Sequence, residues 1–198
     1  MTHAPIHDPS SMVGAMDLDT PRPIADLLLV ANTKHGPRAH AYAEGDTGRP
    51  HDHLTDAADA RDFLAARIAV PERLPGREDL ANLRRLRRGV EAIEQQPGSF
   101  PRKAVEALVR SSTFRLDDDG RLVPAKRGWP AFTGALLLSL RALSQADLPL
   151  KRCHNPACHW LFIDRSKNHT RQWCEMGVCG NRAKAARFKR RRQPTAAA

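Results

Sequence analysis

The residues of this 198-residue chain best suited to chemistry are its four cysteines, Cys153, Cys158, Cys174 and Cys179. They form two Cys-x4-Cys pairs with fifteen residues between them. Two close pairs on a chain that folds back can aim four thiolates at one point, which is what a tetrahedral zinc ion takes. Four thiolates leave no position for a catalytic water, so the expected ion is structural and single. His154, His159 and His169 share the segment, and one of them could stand in for a cysteine. A module this small buries too little apolar surface to fold alone. Zinc binding contributes about 10–16 kcal/mol in comparable peptides, so metal and fold should be inseparable.

The elements that must position these thiolates are short. Trp160 to Ile163 is an apolar run, and Asp164 to Asn168 is a polar turn. A return strand ending at Trp173 would complete a hairpin between the two cysteine pairs. The stretch after Cys179, rich in Ala, Lys and Arg, reads as a helix. A knuckle, a hairpin and a helix carrying the last ligand in its first turn resemble a treble-clef zinc finger. The resemblance extends to particular residues. Cys179-Gly180-Asn181-Arg182 spells the signature of the CGNR zinc-finger family. Phe162, Asp164, Asn168, Arg171, the run Trp173-Cys174-Glu175-Met176 and Lys184 are similar to that family as well. The resemblance covers about forty residues. It implies a bacterial transcription regulator with a helical N-terminal domain. Within the signature, Gly180 permits a close approach or a positive φ, and Asn181 is a candidate helix cap. Arg182 then falls near a helix N-terminus, where free N–H groups favour a phosphate.

Charge is segregated. Residues 1–150 carry 20 Lys and Arg against 20 Asp and Glu, whereas residues 151–198 carry 12 against two. The whole net charge of +10 therefore sits with the cysteines. A solubilising face mixes both signs; a one-sided basic surface is the footprint of a polyanion. The candidate nucleic-acid contacts are Arg165, Lys167, Arg171, Arg182, Lys184, Arg187, Lys189, Arg190, Arg191 and Arg192. Trp160, Phe162, Trp173 and Phe188 are expected to form the small core of the finger rather than stacking platforms.

The preceding residues read as a mainly α domain over 21–147, with a zinc finger over 148–193 and disordered tails at 1–20 and 194–198. Helices are expected over about Pro23–Asn32, from Thr55 or Asp56 to before Pro71, over Arg77–Gln95, over Pro101–Ser111 and over Pro130–Ala146. A small hairpin spans Phe114 to Val123 around Asp118-Asp119-Gly120. Asp59 is placed to complete a capping box. The run Arg84, Arg85, Arg87 and Arg88 has Glu91 and Glu94 within helical pairing distance. The stretch LLLVANT resembles the opening of the family's N-terminal domain, with Asn32-Thr33 as the matching pair and Leu29 where an acid is expected. Asn32 and Thr33 should otherwise satisfy backbone groups at the helix end. His51, Asp52 and His53 have a spacing that suits a metal, but nothing nearby in sequence completes a site.

No N-terminal stretch has the pattern of a signal peptide. No apolar run approaches the roughly 20 residues of a membrane span. A cytoplasmic location is expected, and a reducing compartment favours metal over disulfides. The sequence holds no paired nucleophile and base, no Gly-rich phosphate loop and no open metal position, so no enzymatic activity is expected. The leading expectation is a DNA-binding regulator whose helical domain senses a small-molecule effector or forms a homodimer. RNA binding, or an adaptor that binds an acidic protein, would use the same basic finger.

Overall fold

The computed structural model describes residues 21–36 and 51–192. Both expected tails, residues 37–50, and the side chains of Arg190 and Arg192 lie outside the described residues. The described residues are mainly α with three short antiparallel strand pairs.

Among the described residues five helices precede the finger: α1 (Arg22–Ala31), α2 (Ala57–Ala65), α3 (Arg77–Gln95), α4 (Arg102–Ser111) and α5 (Trp129–Gln145). Helix α3 has the bounds its sequence implies. Asp79 in its first turn accepts the Gly76 N–H at 2.8 Å, and Leu80, Leu83, Leu86, Val90 and Ile93 are all buried along one stripe. Helices α1, α4 and α5 pack against α3. The crossing with α5 is close: a Cβ on Gly89 would lie 2.8 Å from Leu140 and 3.2 Å from Val105. Only a glycine admits that approach without displacing a neighbour. Trp129 is fully buried at the start of α5, and its indole N–H donates to the Arg73 carbonyl at 2.8 Å.

Several expectations change. Helix α2 ends at Ala65, and Asp56 alone caps it, accepting from the Ala58 and Asp59 N–H groups. The Asp59 carboxylate turns instead to His51 and His53. On α4, Val105 and Leu108 are buried and Val109 is exposed. The arginines of α3 do not pair with Glu91 or Glu94 along the helix. Arg87 forks onto both Asp52 carboxylate oxygens at 2.7 and 2.9 Å, Arg84 reaches the Leu54 carbonyl, and Arg85 holds Glu78. Arg87 and Arg84 tie α3 to the strand pair β1 (Lys34–His35) and β2 (His51–Asp52) and to the 3-10 turn His53–Thr55. The hairpin β3 (Phe114–Leu116) and β4 (Leu122–Pro124) forms as expected, with Gly120 at φ 74° in its turn.

The finger adds β5 (Leu150–Arg152), β6 (Leu161–Ile163), a π turn (Met176–Gly180) and α6 (Asn181–Arg192). Its hairpin differs from the expected one. Strand β6 pairs antiparallel with β5, so the first cysteine knuckle forms the turn. No return strand precedes Trp173 among the described residues. The buried core continues from the helices into Trp160, Leu161, Phe162 and Ile163. Two polar contacts seat the finger. The Asn32 amide donates to the Leu161 carbonyl at 2.9 Å and accepts the Leu161 N–H at 2.7 Å, so it pairs with β6 as a neighbouring strand would. Arg152 of β5 meets Glu94 of α3 at 3.1 Å. Thr33 does what a helix end requires, its hydroxyl donating to the Val30 carbonyl at 2.7 Å. No described helix is long and apolar enough to cross a membrane.

Candidate metal centre and basic helix

Each cysteine reaches the centre from a differently built stretch of backbone. Cys153 directly follows β5, and its N–H donates to the Trp160 carbonyl at 2.8 Å, closing the knuckle at its base. Asn155 shapes the tip. Its carbonyl accepts the Cys158 N–H at 2.8 Å and its side-chain oxygen accepts the Ala157 N–H at 3.1 Å. His159 then sits at φ 60°, a left-handed conformation that histidine adopts more readily than most residues. Cys174 precedes the π turn, and Cys179 lies within it.

All four thiols are buried, and all four sulfurs lie within 4.8 Å of one another. The distances from Cys158 Sγ to Cys174 Sγ and from Cys174 Sγ to Cys179 Sγ are both 3.7 Å. Zinc–sulfur bonds of about 2.3 Å at a tetrahedral centre put the sulfurs about 3.8 Å apart. The donor set and its spacing therefore fit one zinc ion. The thiols also do not ionise independently. Hydrogen bonds from Cys158, Cys174 and Cys179 hold the Cys153 thiol far below its ordinary range. Hydrogen bonds involving Cys153, Cys158 and Cys179 push the Cys174 thiol far above it. A divalent cation relieves that conflict by favouring the thiolate at every position. The Asn155 amide, 3.4 Å from Cys179 Sγ, adds an outer hydrogen bond to the centre.

Residues 150–192 match the family model of the CGNR zinc finger. The match covers the finger and not the helices before it. No curated protein matches the chain. The four cysteines of this CGNR finger are positioned to bind one metal ion. Its signature residues have structural work that the sequence shows only in part. A Cβ on Gly180 would lie 2.1 Å from Met176 Sδ and 3.2 Å from the Trp173 ring, so a side chain here would displace the exposed Met176 side chain and crowd Trp173. Asn181 is not an N-cap. Helical turns begin at Met176, the Asn181 backbone is helical, and its amide donates back to the Gly177 carbonyl at 3.0 Å. The N–H groups of Cys179 and Gly180 are already bonded to the Glu175 carbonyl, so no open helix N-terminus faces Arg182.

Asp164 is the buried polar hub between the cysteine pairs. It is fully buried and accepts from Lys151 Nζ at 2.7 Å, the Ser166 hydroxyl at 2.7 Å, and the N–H groups of Ser166 and Arg171 at 3.0 and 2.9 Å. Burial alone would raise the Asp164 carboxyl; these hydrogen bonds outweigh it and hold the group well below the usual carboxylate range. Lys151 also reaches the His169 carbonyl, and His169 takes a positive φ of 48°. The loop that appeared to be a return strand is thus folded around one carboxylate.

The predicted nucleic-acid residues divide into groups. Arg165 and Lys167 are exposed on that loop, and Lys184, Arg187, Lys189 and Arg191 are exposed on α6. Arg171 braces the finger: Nε donates to the Trp173 carbonyl at 2.8 Å, Nη2 donates to the Cys174 carbonyl, and the guanidinium lies 5.1 Å from the Phe162 ring centre. Arg182 is half-buried. With Ala183, Ala186 and Arg187 of α6 it faces the His154–Ala157 knuckle and Trp173 across a groove of about 490 Å³. Trp160 and Phe162 are buried and Trp173 is half-buried, as a small core requires. Phe188 is not part of it: it is 57% exposed among the cations of α6.

Proposed function

We propose that this protein is a DNA-binding transcriptional regulator. The metal-fixed finger presents α6 to a duplex, and the helical region senses a signal or mediates self-association. The observation that carries this reading is the character of α6. From Lys184 to Lys189 every residue is exposed, on all flanks of that stretch. Residues 181–192 include seven cations and no acid. Three alanines give the helix good intrinsic propensity. A helix whose Lys184–Lys189 stretch is exposed, rich in cations and anchored at one end by a metal centre suits insertion in a major groove with phosphates on either side. The proposed role is binding rather than catalysis.

The test is binding of the full chain to duplex DNA across a salt series. The logarithm of affinity should fall by about 0.9 per decade of salt for each phosphate neutralised. Replacing Lys189 to Arg192 with alanine should weaken binding to all sequences alike and flatten that slope. Arg182→Ala should cost on the order of 1–3 kcal/mol in sequence preference if the guanidinium reads a base edge. Sequencing DNA recovered with the native protein should give compact enriched sites; random fragments would refute regulation. A second reading is favoured by exposed Phe188, since an aromatic ring among cations can stack on an unpaired base. Recovery of RNA in place of DNA would establish that reading.

A further inference from the structure

Outside the finger, the helical region gathers a second set of metal-ligating side chains. Strands β1 and β2 place His35 opposite His51, the 3-10 turn presents His53, and the first turn of α2 presents Asp59. His51 Nε2 lies 2.8 Å from Asp59 Oδ2, and His53 Nδ1 lies 2.7 Å from Asp59 Oδ1. One donor atom from each of the three residues falls within 4.8 Å of the others. We propose that His51, His53 and Asp59 form a second metal site, distinct from the four cysteines, for a first-row divalent transition-metal ion.

The hydrogen bonds define which nitrogen of His53 faces Asp59 as a lone pair. His35 Nδ1 is 3.1 Å from the Gly36 carbonyl, which can only accept, so that nitrogen carries the proton. A neutral His35 therefore accepts at Nε2, where His53 Nε2 approaches to 3.1 Å and must donate. Neutral His53 is left with a lone pair on Nδ1, directed at a carboxylate oxygen. A proton between them makes an imidazolium–carboxylate pair, and a metal ion can take that proton's place. A histidine that ligates a metal through one nitrogen and donates from the other is the usual arrangement at such centres. Phe63 stacks on the His53 ring at 4.0 Å and holds its plane. His35 is thus a positioning residue, buried behind the ligands.

The donor set points to the class of ion. Two imidazoles and one carboxylate suit zinc, nickel, copper or ferrous iron, whereas magnesium and calcium favour oxygen ligands throughout. The other nearby carboxylate, Asp52, is committed to Arg87. Metal–ligand bonds of about 2.0–2.1 Å would hold tetrahedral donors about 3.3 Å apart. The three side chains must therefore open by about half an ångström from their present contacts. His51 can do so, because its side chain is 54% exposed. Solvent meets the ion on that side, so the site should exchange metal readily, unlike the buried thiolates. It also adjoins the finger: the Gly36 N–H at the end of β1 donates to the Cys158 carbonyl at 3.0 Å.

The test uses the full chain carrying one equivalent of zinc, titrated with cobalt(II). One further equivalent should bind without the thiolate-to-cobalt charge-transfer band. His51→Ala and Asp59→Asn should each weaken it by at least the roughly ten-fold lost when an orienting partner of a ligand is removed. Asp59→Asn keeps a near-isosteric side chain and leaves Asp56 to cap α2, so the test survives even if His51→Ala does not fold. No further equivalent, uptake accompanied by the thiolate band, or binding that both variants leave unchanged would each overturn the proposal. The last outcome would place the ion on other histidines of the chain.

Discussion

Between Arg22 and Gln145 the buried side chains are mainly leucine, isoleucine and valine on the inner faces of helices. Between Leu150 and Arg192 they include four cysteines, Trp160, Phe162 and the carboxylate Asp164. The first region removes apolar surface from water along several stripes, and its stability is spread over many contacts. The second is too small for that. It concentrates its stability in a few polar centres, each of which fails as a unit when one partner is lost. Chelation of the metal, or Cys174→Ser, is therefore the largest expected effect. About 10–16 kcal/mol of binding free energy supports the finger in comparable peptides. Circular dichroism should retain the signal of helices α1 to α5 while the near-ultraviolet signal of Trp160 and Trp173 is lost. Loss of both together would mean that the two regions fold only as one.

Asp164 sharpens the same contrast without touching a thiolate. Asp164→Asn should cost about 3 kcal/mol in finger stability, because the Lys151 ammonium loses its partner inside the fold. The folded protein holds this carboxyl ionised below the usual carboxylate range, so there it binds fewer protons than the unfolded chain. Its contribution is complete above about pH 4–5 and is lost as pH falls toward the folded value. Chemical denaturation of both proteins across pH 3–7 checks this: their stability difference should be constant near neutrality and shrink in acid. A difference independent of pH would remove Asp164 as the charged hub.

How far these features can be read in sequence depends on whether their cause is local. The bounds of α3 are legible because Gly76, Asp79, the leucine stripe and Pro97-Gly98 all lie within one stretch. The cysteine centre is legible because spacing alone constrains it. The course of residues 165–173 is not, since a single buried carboxylate organises them and leaves no periodicity. The pairing of β5 with β6 is equally hidden, as Leu150-Lys151-Arg152 has no strand-like alternation. The His51, His53 and Asp59 cluster spans an expected loop and an expected helix cap. The signal that could have found it is the position of Asp59 on the first turn of a helix that Asp56 already caps.

Asn32 tests whether the two regions are one body. Its amide satisfies both the N–H and the carbonyl of Leu161, 129 residues away. Asn32→Ala leaves two buried backbone groups of β6 unpaired, and should cost about 2 kcal/mol. Calorimetry should then show the finger and the helices separating into two transitions. A uniform downward shift of one transition would mean that apolar contact, and not this amide, joins them.

The smallest expected effect on stability belongs to Phe188. A phenylalanine of the finger core would cost several kcal/mol on truncation, on the order of 3–5. Phe188 is 57% exposed, so Phe188→Ala should change the melting free energy by less than about 0.5 kcal/mol. Zinc content should be unchanged, because the ring contributes no ligand and lies beyond the turn that carries Cys179. Binding to nucleic acid separates the remaining possibilities. If the ring stacks on a base, the variant loses about 1–3 kcal/mol of affinity for single strands. If α6 enters a duplex groove on charge alone, duplex affinity and its salt slope are preserved. A large loss of stability would instead place Phe188 with Trp160 and Phe162 in the interior, and the view of Lys184–Lys189 as an exposed stretch would fail.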